Sequence, residues 1–187
     1  MMKTHGGQHG HGFTLVELLI TLVVMAILCA LATPPLRAMV VRHGVEVQAG
    51  TLAAALRLAR ATAIQRGQRV TVCASVNAAT PNPQCLSEAR DWAAGWLIFI
   101  DEGGQPGQLD AGDRLLQVQA RLPDNDIVPG DKRPSLSFSP TGLALADNNH
   151  FQVQPAHHAI ATPLDTHRCV ILGSTGRVRI QEGPCAS

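Results

Sequence analysis

From residue 13 to residue 32 the chain is almost wholly apolar, interrupted only by Thr14, Glu17 and Thr21, and no charge follows Glu17 until Arg37. About twenty apolar residues suffice to cross a bilayer as a helix, so this stretch predicts a membrane-spanning helix. Pro34 and Pro35 come directly after it. Proline removes a backbone donor and bends a helix, so a kink or short break is expected near Thr33. A helical pattern resumes over residues 36–65, where Leu52, Leu56, Ala59 and Ala63 recur at steps of three and four. Alanine density supports this helix, Gly44 and Gly50 weaken it locally, and Gly67 ends it.

Beyond Gly67 the period changes from helical to alternating. Residues 69–75 (RVTVCAS) alternate with β-branched side chains as a strand should, and residues 95–100 (GWLIFI) read as a buried strand. Further strands are expected at 115–118, 136–139, 143–146, 151–154, 168–172 and 177–180, with turn-rich loops at 77–84 and 101–113. Short strands separated by turn signals predict an α+β fold, an antiparallel sheet or sandwich packed against the long helix. The expected organisation is a leader at 1–12, a membrane and assembly helix at 13–36, its amphipathic continuation at 37–66 and a β-rich domain at 67–187.

Composition adds bounds to this outline. A chain of 187 residues, 45% hydrophobic, holds one membrane helix and one core. Lys+Arg number 15 against 14 Asp+Glu, and without Lys3 the two are equal, so a nucleic-acid partner would need a local basic patch. Of the five cysteines, Cys29 lies in the apolar run, where it serves as a small hydrophobe. With the positive leader inside, the domain lies on the opposite side of the membrane, where an oxidising compartment lets disulfides persist. Cys73, Cys85, Cys169 and Cys185 allow three pairings. The local pairs Cys73 with Cys85 and Cys169 with Cys185 are favoured, because each closes a loop rich in turn formers. None has C-x-x-C spacing, which argues against zinc or thioredoxin-like chemistry.

Glu17 is the anomaly of the apolar run. A carboxylate in hydrocarbon costs about 3 kcal/mol by insertion scales, so an acid there implies a partner. The twelve residues ahead of it, MMKTHGGQHGHG, contain one lysine and no acid and are too short and Gly/His-rich to fold. An ordinary secretory signal places its small-residue cleavage site after the apolar region, whereas Gly12 precedes it. Cleavage after Gly12 would leave the apolar segment on the mature protein.

Glycine followed by FTLVE and a long apolar helix resembles the class III signal of type IV pilins and pseudopilins. The resemblance implies cleavage between Gly12 and Phe13 by a prepilin peptidase, N-methylation of Phe13, and a single-pass inner-membrane protein with a periplasmic C-terminal domain. It also implies partners among other pilin or pseudopilin subunits, with Glu17 neutralising the N-terminal amine of a neighbour during assembly. An amine and a carboxylate in a low-dielectric setting are far cheaper as a pair than apart.

The segments LRLARATAIQRGQRVTVC, GWLIFIDEGGQPGQLDAGDRLLQV, LSFSPTGLA and RCVILGSTGRVRI resemble the GspH/FimT branch of minor pilins and pseudopilins. That branch implies either a tip subunit of the type II secretion pseudopilus or a minor pilin associated with type IV pili and DNA uptake. The residues Gly176, Arg177, Val178 and Arg179 resemble the G-R-x-R motif linked to DNA binding in the FimT-type members. In a strand, Arg177 and Arg179 would project from one face about 6.6 Å apart, with Val178 and Ile180 on the other. Guanidiniums so placed grip phosphate oxygens without reading sequence. Alternating Arg and Val also suits the solvated edge of a half-buried sheet. Residues 168–187 hold three arginines against Glu182 alone, and Lys132 and Arg133 are candidates to widen the patch.

Other chemistry is thinner. Residues 101–113 hold enough oxygen donors to suggest calcium, yet they lack EF-hand spacing and its closing glutamate, so a solvated turn is expected. His5, His9 and His11 belong to the leader, and His157 and His158 stand side by side without a partner at ligand spacing. Residues 173–176 (GSTG) lack the P-loop lysine, and no nucleophile elbow occurs. Neither an enzyme, a metal site nor a cofactor is expected.

Overall fold

The computed structural model describes residues 14–88, 92–122, 125–145, 149–156 and 166–186, with the side chains of 31–37 excepted. Gly12, Phe13, His157 and His158 therefore lie outside the described residues. These residues fall into two compact units, divided between Met39 and Val40.

A single α-helix, α1, runs over Leu15–Arg66. Thr14 caps it, its Oγ1 accepting from the Glu17 N–H at 3.2 Å. The expected break at Thr33 does not occur, for the helix is continuous through Pro34 and Pro35. Each proline withholds one backbone donor, and the helix carries on with the bonds on either side. In the first unit, Leu15, Val16, Leu18, Leu19, Ile20, Leu22 and Val23 are all exposed. Among the described residues no helix is long and apolar enough to cross a membrane. The apolar run of the sequence, residues 13–32, starts and finishes beyond the described side chains.

In the second unit α1 is amphipathic. Val45, Ala49, Leu52, Leu56, Ala59 and Ala63 are fully buried, a stripe at alternating steps of four and three. The helix ends where glycine allows it to: Gly67 adopts φ 63°, and the Gln68 N–H reaches back to the Ala63 carbonyl at 3.3 Å.

Among the described residues eight strands follow: β1 Val70–Ala74, β2 Trp96–Ile100, β3 Arg114–Gln119, β4 Asn125–Pro129, β5 Ser135–Phe138, β6 Asn149–Pro155, β7 Arg168–Leu172 and β8 Val178–Glu182. They form two four-stranded sheets, ordered β3-β2-β1-β5 and β4-β6-β7-β8, and the named pairs are antiparallel. Residues of both sheets share one core with the α1 stripe, in which Trp92 meets Phe151 edge to face at 5.0 Å between centroids. β1 and β2 are buried along their whole length because they are covered twice. Cys73, Leu97 and Phe99 turn to the second face and pack under Ala78 and Cys85 of the following loop. In the other sheet, β6 alternates buried and half-buried residues, as a strand with one wet face does.

Two expectations need correction. β4 is not among the expected strands: Asn, Asp and Pro, here Asn125, Asp126 and Pro129, are residue types depleted in strands. It lies at a sheet edge, where the missing proline donor breaks no ladder. Conversely, the strand expected at 143–146 reduces to a single bridge between Phe138 and Ala144, and Ala146 is outside the described residues. The chain turns back at once instead: Ser139 N–H donates to the Leu143 carbonyl and Gly142 N–H to that of Ser139. Past the turn Leu145 N–H returns to the Ser137 carbonyl at 2.8 Å, while Ala144 N–H goes to that of Ser174 at 3.0 Å.

Candidate nucleic-acid interface

Gly176 and Arg177 belong to the turn between β7 and β8. Gly176 N–H donates to the Gly173 carbonyl at 2.8 Å and Gly173 N–H to the Arg177 carbonyl at 3.0 Å. Arg177 therefore precedes β8 rather than lying in it, yet the expected alternation holds: Arg177 and Arg179 are exposed and Val178 between them is buried. Ile180 departs from it, being 41% exposed. The core it was expected to face has ended by that point in the edge strand.

The turn docks on two other segments. Ala144 N–H donates to the Ser174 carbonyl at 3.0 Å, which joins the Gly142 turn to the Gly176 turn. From α1, Arg60 Nε donates to the Gly142 carbonyl at 3.0 Å, and Arg57 Nη2 makes a longer contact of 3.5 Å with the Val178 carbonyl. The motif glycine is thus buried, and its part is to permit this approach. With φ 74°, a Cβ built on it would stand 2.2 Å from the Gly142 carbonyl oxygen and 2.8 Å from Arg60 Nε. Gly176→Ala should destabilise the chain by about 2 kcal/mol or more, since left-handed backbone costs roughly 1–2 kcal/mol and the overlap adds to it. Gly183 is the control, with φ 86° and open space around its Cβ position. Gly183→Ala should cost only the backbone part, and thermal melting of the two variants checks the difference.

The remaining candidates divide. Arg168 drops out of the basic patch: it is 3% exposed and directs Nη2 toward Glu46 at 3.9 Å and Glu182 at 3.8 Å. Arg133 is paired with Asp131 at the far end of β5 from Gly142, and Lys132 sits beside it at φ 58°. Neither is brought to the Gly176 turn. Glu17 is exposed in the first turn of α1, three residues after its cap Thr14. The Thr-x-x-Glu spacing is that of a capping box, a sequence signal for this helix start.

Two disulfides join Cys73 to Cys85 and Cys169 to Cys185, the two local pairs. The acidic loop 101–113 is closed by its own donors. Asp101 lies 3.1 Å from Arg69 Nη2 and accepts from the Thr71 hydroxyl at 2.8 Å and Gly107 N–H at 3.1 Å. Asp113 accepts from the N–H groups of Glu102 at 3.0 Å and Asp110 at 2.9 Å, and Asp110 from that of Gln105 at 2.7 Å. Asp101 thus faces the Arg69 guanidinium, while Asp110 and Asp113 are held by backbone N–H groups of the loop.

A long N-terminal helix with an apolar first half, its second half buried against antiparallel sheets, defines the architecture of a minor pilin or pseudopilin. Residues 48–176 match the profile of the family described as Type II transport protein GspH, and residues 8–33 match that of the prokaryotic N-terminal methylation motif. The chain belongs to the GspH family. Among solved structures it is similar to the type IV minor pilin FimU of Pseudomonas aeruginosa strain PAO1 in two crystal forms. One gives 19% identity and a TM-score of 0.55 over 76% of this chain and 90% of that one. The other gives 17% and 0.56 over 75% and 98%. At such identities the likeness is one of fold. No curated protein matches the chain.

Proposed function

We propose that the chain is cleaved between Gly12 and Phe13 by a prepilin peptidase that also methylates Phe13. It is then held in the inner membrane by residues 13–32 with its β-rich domain in the periplasm, and built into a pilus-like filament through Glu17. There it binds DNA through Arg177 and Arg179. The N-terminal methylation match over residues 8–33 supports the processing step. Apolar side chains exposed all round the first turns of α1 suit a lipid or filament-core setting, and two disulfides suit an oxidising compartment.

The observation that carries the DNA reading is the pair of exposed arginines flanking buried Val178, neither of which forms an ion pair among the described residues. Guanidiniums without carboxylate partners keep their charge available for phosphate. Each phosphate contact makes log K fall by about 0.9 per decade of salt, which amounts to about eightfold in affinity at ~0.1 M. In full-length protein in neutral detergent, Arg177→Gln with Arg179→Gln should therefore weaken duplex DNA binding by roughly 60-fold at ~0.1 M salt and leave thermal melting unchanged. Unchanged retention on DNA would sink this reading.

The family's own description as a type II transport protein supports a second reading, a tip pseudopilin that serves protein secretion and never touches DNA. A deletion strain separates the two. Loss of transformation supports the first, and loss of exoprotein secretion with intact transformation supports the second.

A further inference from the structure

We infer that the DNA-binding surface extends from the β7–β8 turn onto α1, with Arg57 and Arg60 as two further phosphate-contacting residues. This rests on the proposal that Arg177 and Arg179 bind DNA. Three segments far apart in the chain meet at this spot: the end of α1, the Gly142 turn and the Gly176 turn. Arg57 and Arg60 are three residues apart on a continuous helix, so their side chains rise on neighbouring positions of one face. The next turn of that face brings Ile64 under Gly142, whose absent side chain leaves it room: a Cβ there would stand 2.6 Å from Ile64 Cδ1.

The contacts that hold the two helix arginines leave most of their donors over. Arg60 uses Nε on the Gly142 carbonyl, and Arg57 places a single Nη2 at 3.5 Å from the Val178 carbonyl. A guanidinium has five N–H donors in a planar fork. Arg57 is exposed and Arg60 half-buried, and neither forms an ion pair among the described residues. The Arg57 contact falls on the carbonyl of the residue between Arg177 and Arg179, so it sets a helix arginine alongside the motif itself. The Arg60 contact falls on the turn that touches Gly176. Four arginines, two from α1 and two from the β7–β8 turn and the strand after it, thereby border one buried glycine, which makes a larger electrostatic footprint than the two of the motif.

The test follows duplex DNA binding by the full-length chain in neutral detergent across a salt series. Arg57→Gln should reduce the slope of log K against log salt by about one and weaken binding about eightfold at ~0.1 M salt. Arg57→Lys should keep the wild-type slope, because it keeps the charge. Arg60→Gln should reduce the slope likewise. Its half-buried side chain also supports the Gly142 turn, so the decision rests on exposed Arg57 together with its melting curve. A wild-type slope in Arg57→Gln, alongside lost binding in the Arg177 and Arg179 double variant, overturns this inference and leaves the proposed function standing. Undiminished binding in the double variant overturns the proposed function and this inference with it.

Discussion

Trp92→Ala should lower the stability of the folded chain by about 3–5 kcal/mol, the range for removing a large aromatic side chain from a packed core. Trp92 is fully buried in a short 3-10 helix, Trp92–Ala94, and stacks edge to face on Phe151 of β6. Its indole Nε1 donates to the Arg133 carbonyl just before β5 at 3.2 Å, so the side chain bridges the two sheets. Urea denaturation, followed by the fluorescence of Trp96, the other of the chain's two tryptophans, would measure the loss. Trp92→Phe keeps most of the ring and orphans the carbonyl, so it should cost about 1–3 kcal/mol. A loss below about 1 kcal/mol in the alanine variant would contradict the placement of this residue at the junction of the sheets.

Removal of the Cys169–Cys185 disulfide by the double alanine variant should cost about 2–4 kcal/mol. The bond closes a separation of 16 residues, and a loop of about that length is worth roughly 3 kcal/mol in chain entropy. It ties β7 to the chain beyond β8, where Gly183 N–H also returns to the His167 carbonyl at 2.9 Å. The bond therefore braces the far end of the hairpin whose turn carries Arg177. Urea unfolding of the variant, compared with wild-type protein under reductant, checks the figure. DNA binding at low temperature, where the hairpin stays folded, should be unchanged. A stable variant with an unaltered midpoint would mean that the edge strand is held by the sheet alone.

Much of the architecture was legible because local signals agreed with the fold. The steps of three and four through Leu52, Leu56, Ala59 and Ala63 became the buried face of α1, and Gly67 its terminator. β1 and β2 announced themselves by β-branched and aromatic runs, which suit strands buried along their whole length. β4 stayed hidden because an edge strand tolerates Asn, Asp and proline, which elsewhere mark loops. Arg168 was counted as surface charge because nothing in RCVIL tells that Glu46 and Glu182 are within reach of it.

What the sequence determined by itself is whatever depends on neighbours in the chain. That covers the amphipathic half of α1, the strands with clear alternation, and the order of glycine and arginines in the motif. Only the tertiary structure decided which arginines come close to the Gly142 and Gly176 turns. Arg57 and Arg60 on a helix read as ordinary solvated positions, and they reach the Val178 and Gly142 carbonyls because Gly142 and Gly176, both at positive φ, let two turns close on α1. Charges add up across space rather than along the chain. The proposed basic surface forms only once the packing of backbone against backbone, possible where no Cβ intervenes, has brought its parts together.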